Sequence, residues 1–111
     1  MTIFLVSTWV VKPDKLGEFP IYGKKYLAWM KERQDLFKEL KSYKYFSHMI
    51  GGGGYVGSYV EMWEFESLAE LEKFSTRYGS DKEHMTKILP EFMTLVVPGT
   101  FSSYMWSPVE L

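Results

Sequence analysis

The chain reads as a single α+β domain, residues 1–111, with four strands in one antiparallel sheet and the order β-α-β-β-α-β. Four short runs rich in β-branched and aromatic residues are bounded by turn residues. Two long stretches between them change to a 3.6-residue apolar spacing. The two middle runs are joined by Gly51-Gly52-Gly53-Gly54, a connection too short for a helix, so they form a hairpin.

The elements follow in order. Ile3 to Val11 is a first strand that stops at Lys12-Pro13-Asp14. Leu16, Phe19, Tyr26, Met30, Phe37 and Leu40 then share one helical face, which predicts a helix running to about Leu40. Pro20 either kinks that helix or sits in its first turn. Ser42 to Ile50 and Tyr55 to Phe65 are the second and third strands. Ser67-Leu68-Ala69-Glu70 has the form of a capping box, in which hydroxyl and carboxylate each satisfy an orphan N–H. The helix it opens carries Leu68, Leu71 and Phe74 and is expected to break at Tyr78-Gly79. A second cap, Ser80-Asp81-Lys82-Glu83, leads into Met85, Ile88, Leu89 and Phe92, where Pro90 bends or shortens the segment. Val97-Pro98-Gly99 turns the chain into a fourth strand, Thr100 to Trp106. This split βαβ order is the ferredoxin-like arrangement.

Composition narrows the function classes. A net charge of −1 supplies no basic footprint for nucleic acid or an anionic membrane. The absence of Cys excludes disulfides, thiolate chemistry and Cys-ligated zinc, and two His without a spaced partner make a poor metal site. The apolar start Ile3–Val6 lacks a basic flank and ends far short of a membrane span, so a cytoplasmic location is expected. Aromatic residues, by contrast, reach 18% of the chain, more ring area than one small core requires. Such an excess points to a buried partner surface, a flat apolar ligand, or both.

The strands say where a partner surface lies. In the third, Tyr55, Tyr59, Trp63 and Phe65 share one face while Val56, Val60 and Met62 share the other; in the first, Ile3, Leu5, Trp9 and Val11 oppose Phe4, Val6 and Val10. Both faces are apolar, and two helical layers cover only one. A second copy of the chain, packed sheet to sheet into a barrel-like core, covers the other, so a homodimer or higher oligomer is expected.

The stretch Tyr59-Val60-Glu61-Met62-Trp63-Glu64-Phe65-Glu66-Ser67-Leu68-Ala69-Glu70-Leu71-Glu72-Lys73-Phe74 resembles the junction of third strand and second helix in the dimeric α/β-barrel superfamily. That superfamily includes antibiotic-biosynthesis monooxygenase-like, haem-degrading monooxygenase-like and NIPSNAP-like proteins, and the element order agrees along the whole chain. The resemblance implies a homodimeric barrel that binds a small molecule. It further implies one possible activity, oxygenation of an aromatic or quinol-like compound without a cofactor: a phenolic substrate held dry loses a proton and reacts with O₂ directly. In the haem-degrading branch the pocket uses an Asn on the first strand, a Trp late in the third and a His on the second helical region. Trp63 corresponds to that Trp, Ser7 stands where the Asn falls and has no amide, and His84 lies on the second helical region. A haem-binding protein and a non-catalytic dimeric module are therefore the alternatives.

If a pocket faces the helices, the strand face that carries Trp63 also presents Tyr55, Tyr59 and Glu61, with Ser7 and Trp9 beside them on the first strand. Each ring taken singly reads as core; together they read as the wall of a ligand site with few polar groups. Glu61 among rings would have its pKa raised and act as a base, although the commoner fate of a strand Glu is solvent or a Lys or Arg partner. His84, beside the stripe Met85-Ile88-Leu89, is expected at a boundary or exposed position, with a base or haem-ligand role as the alternative. Whether there is room for a ligand depends on how Pro20 and Pro90 set the helices.

Overall fold

A computed structural model describes residues 2–49 and 57–109. The strands are β1 (Ile3–Val10), β2 (Leu40–Ser47), β3 (Ser58–Phe65) and β4 (Ser102–Trp106); the α-helices are α1 (Phe19–Glu32), α2 (Leu68–Ser80) and α3 (Leu89–Leu95). The sheet order is β2-β3-β1-β4 with every neighbouring pair antiparallel, which is the ferredoxin-like topology. The glycine turn Gly51–Gly54, Tyr55 and Val56 lie outside the described residues.

Strand register separates the two faces as the alternation predicts. Ile3 pairs with Phe65, Leu5 with Trp63, Ser7 with Glu61 and Trp9 with Tyr59, and these residues look toward the helices. Two clusters form the core between the layers. Trp29, Leu36, Phe37, Phe65, Leu71 and Phe74 fill one end around Trp63. Trp9, Val11, Phe19, Tyr22, Leu95 and Val96 fill the other. The opposite face carries Phe4, Phe46, Val60, Met62, Tyr104 and Trp106; Phe46, Tyr104 and Trp106 are about half exposed.

Three local expectations are corrected. Helix α1 ends at Glu32 rather than near Leu40, with Arg33 donating its N–H to Trp29 O as the last helical bond. Arg33 is tied sideways to Asp81 and Glu83 at 2.7 and 2.9 Å, and the following turn drops Leu36 and Phe37 into the core, so the apolar periodicity continues after the helix has stopped. Pro20 sits in the first turn of α1, where its missing N–H costs nothing. Tyr78-Gly79 does not break α2, which runs on to Ser80; Asp81 ends it in an extended conformation and accepts the His84 N–H at 3.0 Å to open the next turn. Only half of the capping box forms. Ser67 Oγ accepts from Glu70 N at 3.3 Å, while the Glu70 carboxylate pairs with Lys73.

Pro90 acts on the segment before it. Residues His84–Ile88 form a π-helical turn in which Leu89 N–H reaches back to His84 O, and α3 begins only then, with Pro90 in its first turn. A proline there has no N–H for the carbonyl four residues back, and its ring crowds that carbonyl; a widened turn relieves both. Among the described residues no helix is long and apolar enough to cross a membrane.

Ser67→Ala should cost about 1 kcal/mol by removing the α2 cap. Urea unfolding midpoints of the two proteins measure this directly; identical midpoints would show that the cap contributes nothing.

Candidate functional site

Because β1, β2 and β3 turn their large rings toward the helices, helices and sheet are held apart and leave between them a cavity of about 550 Å³ that opens to the surface. Ser7 and Trp9 from β1, and Tyr59, Glu61 and Trp63 from β3, line the sheet side. His84 lines the helix side. The fold thus brings together six of the seven residues singled out from the sequence; the seventh, Tyr55, lies outside the described residues. Tyr22 and Tyr26 from α1, Tyr43 and Tyr45 from β2, and Tyr78 from α2 also line it. Sequence reasoning missed these five. The alternation of Tyr43 and Tyr45 on β2 was the available signal for two of them.

The walls are rings packed on rings. Trp9 stacks on Tyr59 (6.2 Å between centroids, 8° between planes) and meets Phe92 edge-on at 5.2 Å. Trp63 lies edge-on to Tyr43 at 5.2 Å and contacts Phe74 at 5.3 Å. Polar groups are few and mostly paired. Ser7 and Ser103 share a hydroxyl hydrogen bond at 2.9 Å, Tyr26 and Tyr78 another at 2.7 Å, and Tyr22 donates to Ile88 O at 3.3 Å. Burial pushes the phenols of Tyr22, Tyr26, Tyr43, Tyr45 and Tyr78 above the usual tyrosine range, so all five are neutral donors at physiological pH.

Glu61 is the exception among these groups. It sits across the sheet from Ser7 on β1 and Tyr45 on β2, and among the described residues no lysine or arginine pairs with it, contrary to the commoner fate expected for a strand Glu. The residue is partly buried, and its carboxyl borders the cavity. Burial raises its pKa to about 7, against the opposing pull of the Tyr43 hydroxyl, which donates to Oε2 at 2.6 Å, and of the nearby Trp63 indole. Trp63 Nε1 favours the charged carboxylate but makes no hydrogen bond to it.

His84 is buried, 6% exposed, rather than at a boundary or in solvent. The π turn that Pro90 imposes directs it inward, where its ring packs on Tyr78 at 3.7 Å and stacks near Trp29 at 6.4 Å. Burial lowers its pKa, opposed by the Tyr78 carbonyl and Asp81, which favours the neutral imidazole. Its Nδ1, with Trp9 Nε1 and Trp63 Nε1, makes up the set of buried side-chain polar atoms that lack a hydrogen-bond partner among the described residues. All three belong to cavity-lining residues. Buried polar atoms are ordinarily satisfied, and three left open around one space are suited to a ligand with polar atoms of its own. Of the three positions a haem pocket of the resembling branch uses, Trp63 and His84 line the cavity. At the third, the Ser7 hydroxyl stands in the place of an amide and is engaged with Ser103.

No protein-family model and no curated protein matches the chain. Solved structures do. A NIPSNAP family protein from Agrobacterium tumefaciens superimposes with a TM-score of 0.75 at 14% identity, over 99% of this chain and 95% of the other. An uncharacterised NIPSNAP-like domain protein from Burkholderia xenovorans gives 0.66 at 15% identity, over 97% and 85%. A structure described as an antibiotic biosynthesis monooxygenase gives 0.63 at 14%, over 97% and 99%. The chain has the fold these proteins share. It is the fold of the superfamily that the Tyr59–Phe74 stretch resembles, and at these identities the likeness concerns fold and not activity.

The raised Glu61 pKa has a consequence for stability with a definite sign. An unfolded Glu titrates near 4.5 and the folded one near 7, so the native state holds the extra proton between those values and stability falls as pH rises from about 4.5 to about 7. Glu61→Gln removes this loss. Relative to the unsubstituted protein, the variant should gain in urea midpoint at pH 8 compared with pH 5. A difference independent of pH would contradict the burial of an ionisable Glu61.

Proposed function

We propose that the chain is a homodimeric small-molecule-binding barrel that oxygenates an aromatic or quinol-like compound without a cofactor. The observation that carries this reading is Glu61, a carboxyl poised near neutral pH in a ring-walled cavity, with no cation against it among the described residues. A general base works best when its pKa lies near the operating pH. The fold likeness to an antibiotic biosynthesis monooxygenase supports the same class of chemistry by analogy.

In the reaction, the substrate lies flat between the indole and phenol rings and presents either a CH₂ made acidic by a neighbouring carbonyl or a phenol O–H whose anion places charge on a ring carbon that still bears its hydrogen. Glu61 takes the proton. The resulting carbanion is electron-rich enough to reduce O₂, and a carbon–oxygen bond forms to give a peroxide. Loss of the hydrogen that remains on the oxygenated carbon breaks the O–O bond, so a CH₂, or the O–H and ring C–H of a phenol, and O₂ become C=O and H₂O. The substrate supplies all four electrons and no external reductant is consumed. Protonated Glu61 returns its proton to the departing oxygen, and neutral His84 serves as the second proton carrier on the helix side. The apolar walls exclude water, which strengthens each of these polar contacts and protects the anion.

The dimer belongs to the same reading. Phe46, Tyr104 and Trp106 on the helix-free face form an apolar surface that a second copy would cover by two-fold symmetry. Light scattering should return twice the chain mass of 13.1 kDa, and Tyr104→Lys with Trp106→Lys should return the single mass.

Oxygen uptake on a panel of anthrone- and hydroquinone-type compounds tests the activity. Uptake is expected to rise with pH through about 7 as Glu61 loses its proton, with kcat/KM about tenfold lower for each pH unit below that. Glu61→Gln should lower kcat by about 10²–10⁴. Uptake that proceeds equally well in the Gln variant would rule out Glu61 as the base.

A further inference from the structure

We propose that Tyr43 is the positioning residue of the Glu61 base, holding Oε2 so that Oε1 is the oxygen that takes the substrate proton. This inference rests on the reading of Glu61 as the base.

The geometry is specific. Tyr43 pairs across the β2–β3 ladder with Trp63, and Tyr45 pairs with Glu61, so Tyr43 is the diagonal neighbour of Glu61 on the same face. That diagonal is within reach of a long ring, and the Tyr43 hydroxyl meets Oε2 at 2.6 Å, the length of a charge-assisted bond. The ring itself has little freedom, lying perpendicular to Trp63 at 5.2 Å and stacked near Tyr45 at 6.4 Å. A carboxylate on an otherwise flexible side chain is thus held by one oxygen from a rigid donor.

The chemistry of the pair is one-directional. Burial and the adjacent Glu61 push the Tyr43 phenol far above the usual tyrosine range, so it donates and does not compete for the substrate proton. A bond to the charged form of Glu61 opposes the effect of burial. Of the other groups around the cavity, the Trp63 indole favours the carboxylate in the same direction but makes no hydrogen bond to it. Ser7 bonds to Ser103, Tyr22 to Ile88 O, and Tyr26 to Tyr78; Tyr45 is a neutral phenol; His84 is kept neutral by burial. Lys24, a cation on the cavity lining, is exposed at its rim.

Tyr43→Phe keeps the ring against Trp63 and removes only the hydroxyl. Carboxyl ¹³C titration of Glu61 in ligand-free protein, assigned by comparison with Glu61→Gln, should move up by roughly one pH unit. In the oxygen-uptake assay the acid limb of kcat/KM should move by the same amount, with kcat falling and KM little changed. Tyr26→Phe, which removes a phenol bonded elsewhere, should leave the Glu61 titration in place. A Glu61 titration unmoved in Tyr43→Phe, or moved as far in Tyr26→Phe, overturns the proposal. A shifted titration in a protein that oxidises nothing on the panel supports the hold of Tyr43 on Glu61 and counts against the monooxygenase reading alone.

Discussion

A carboxylate that must be desolvated to pack is held at the centre of the sheet by strand pairing. The register of β1, β3 and β2 aligns Ser7, Glu61 and Tyr45 in one row on the helix side, with Trp9 and Tyr59 in one adjacent pair and Leu5 and Trp63 in the other. A shift of one residue in that register would turn Glu61 to the far face and bring Val60 or Met62 inward, exchanging a polar cavity floor for an apolar one. The ladder bonds that set the register therefore also set the chemistry of the cavity. Glu61 has Tyr43 as its hydrogen-bond donor because the same pairing places Tyr43 on the diagonal.

The space above that row exists because large rings act as spacers. Trp9, Trp63, Phe19 and Phe74 are nearly fully buried and still leave a cavity, since fused and six-membered rings in contact at 5–6 Å do not fill the corners between three helical segments and a twisted sheet. Two prolines determine where the roof lies. Pro20 lets α1 begin late, at Phe19, and Pro90 widens the turn before α3 so that His84 points inward. Arg33 joins the end of α1 to Asp81 and Glu83 at the start of that turn, and Trp29 donates to the same Glu83 at 2.7 Å. The roof segments are linked to one another by charge as well as by packing.

Much of this was legible in the sequence because period-two alternation survives folding. The element order, the two strand faces and the company of Ser7, Trp9, Tyr59, Glu61 and Trp63 all follow from it. What was hidden depends on tertiary pairing. Helical periodicity overran the end of α1 because Leu36 and Phe37 are buried from a turn and still satisfy the 3.6-residue spacing. His84 read as a boundary residue because nothing local announces a π turn; its cause, Pro90, lies six positions further on. The Tyr26–Tyr78 pair joins two helices far apart in the chain, and no single-element pattern reports it. Glu61 was ambiguous for a different reason. A strand Glu is usually solvated, and only its neighbours across the sheet, Ser7 and Tyr45 rather than a cation, a property of three strands at once, decide otherwise.

The aromatic excess divides between the two faces of one sheet, and the division carries the functional argument. On the helix side the rings surround a polar group that costs stability when ionised, with no cation to offset it. A fold optimised for stability alone would place an apolar residue at position 61, since a buried charge without a countercharge is among the costlier features a core can carry. Local conflicts of this kind are expected where a site has work to do, and a pKa displaced toward neutrality by desolvation is the form they take in acid–base sites. On the far side the carboxylate beside Phe4, Glu64, has the Ser42 hydroxyl as its donor, and the half-exposed Phe46, Tyr104 and Trp106 pose only a question of covering area, which a second sheet would meet without any chemistry. One strand pattern thus separates what the protein would use to react from what it would use to assemble, and Glu61 marks which face is which.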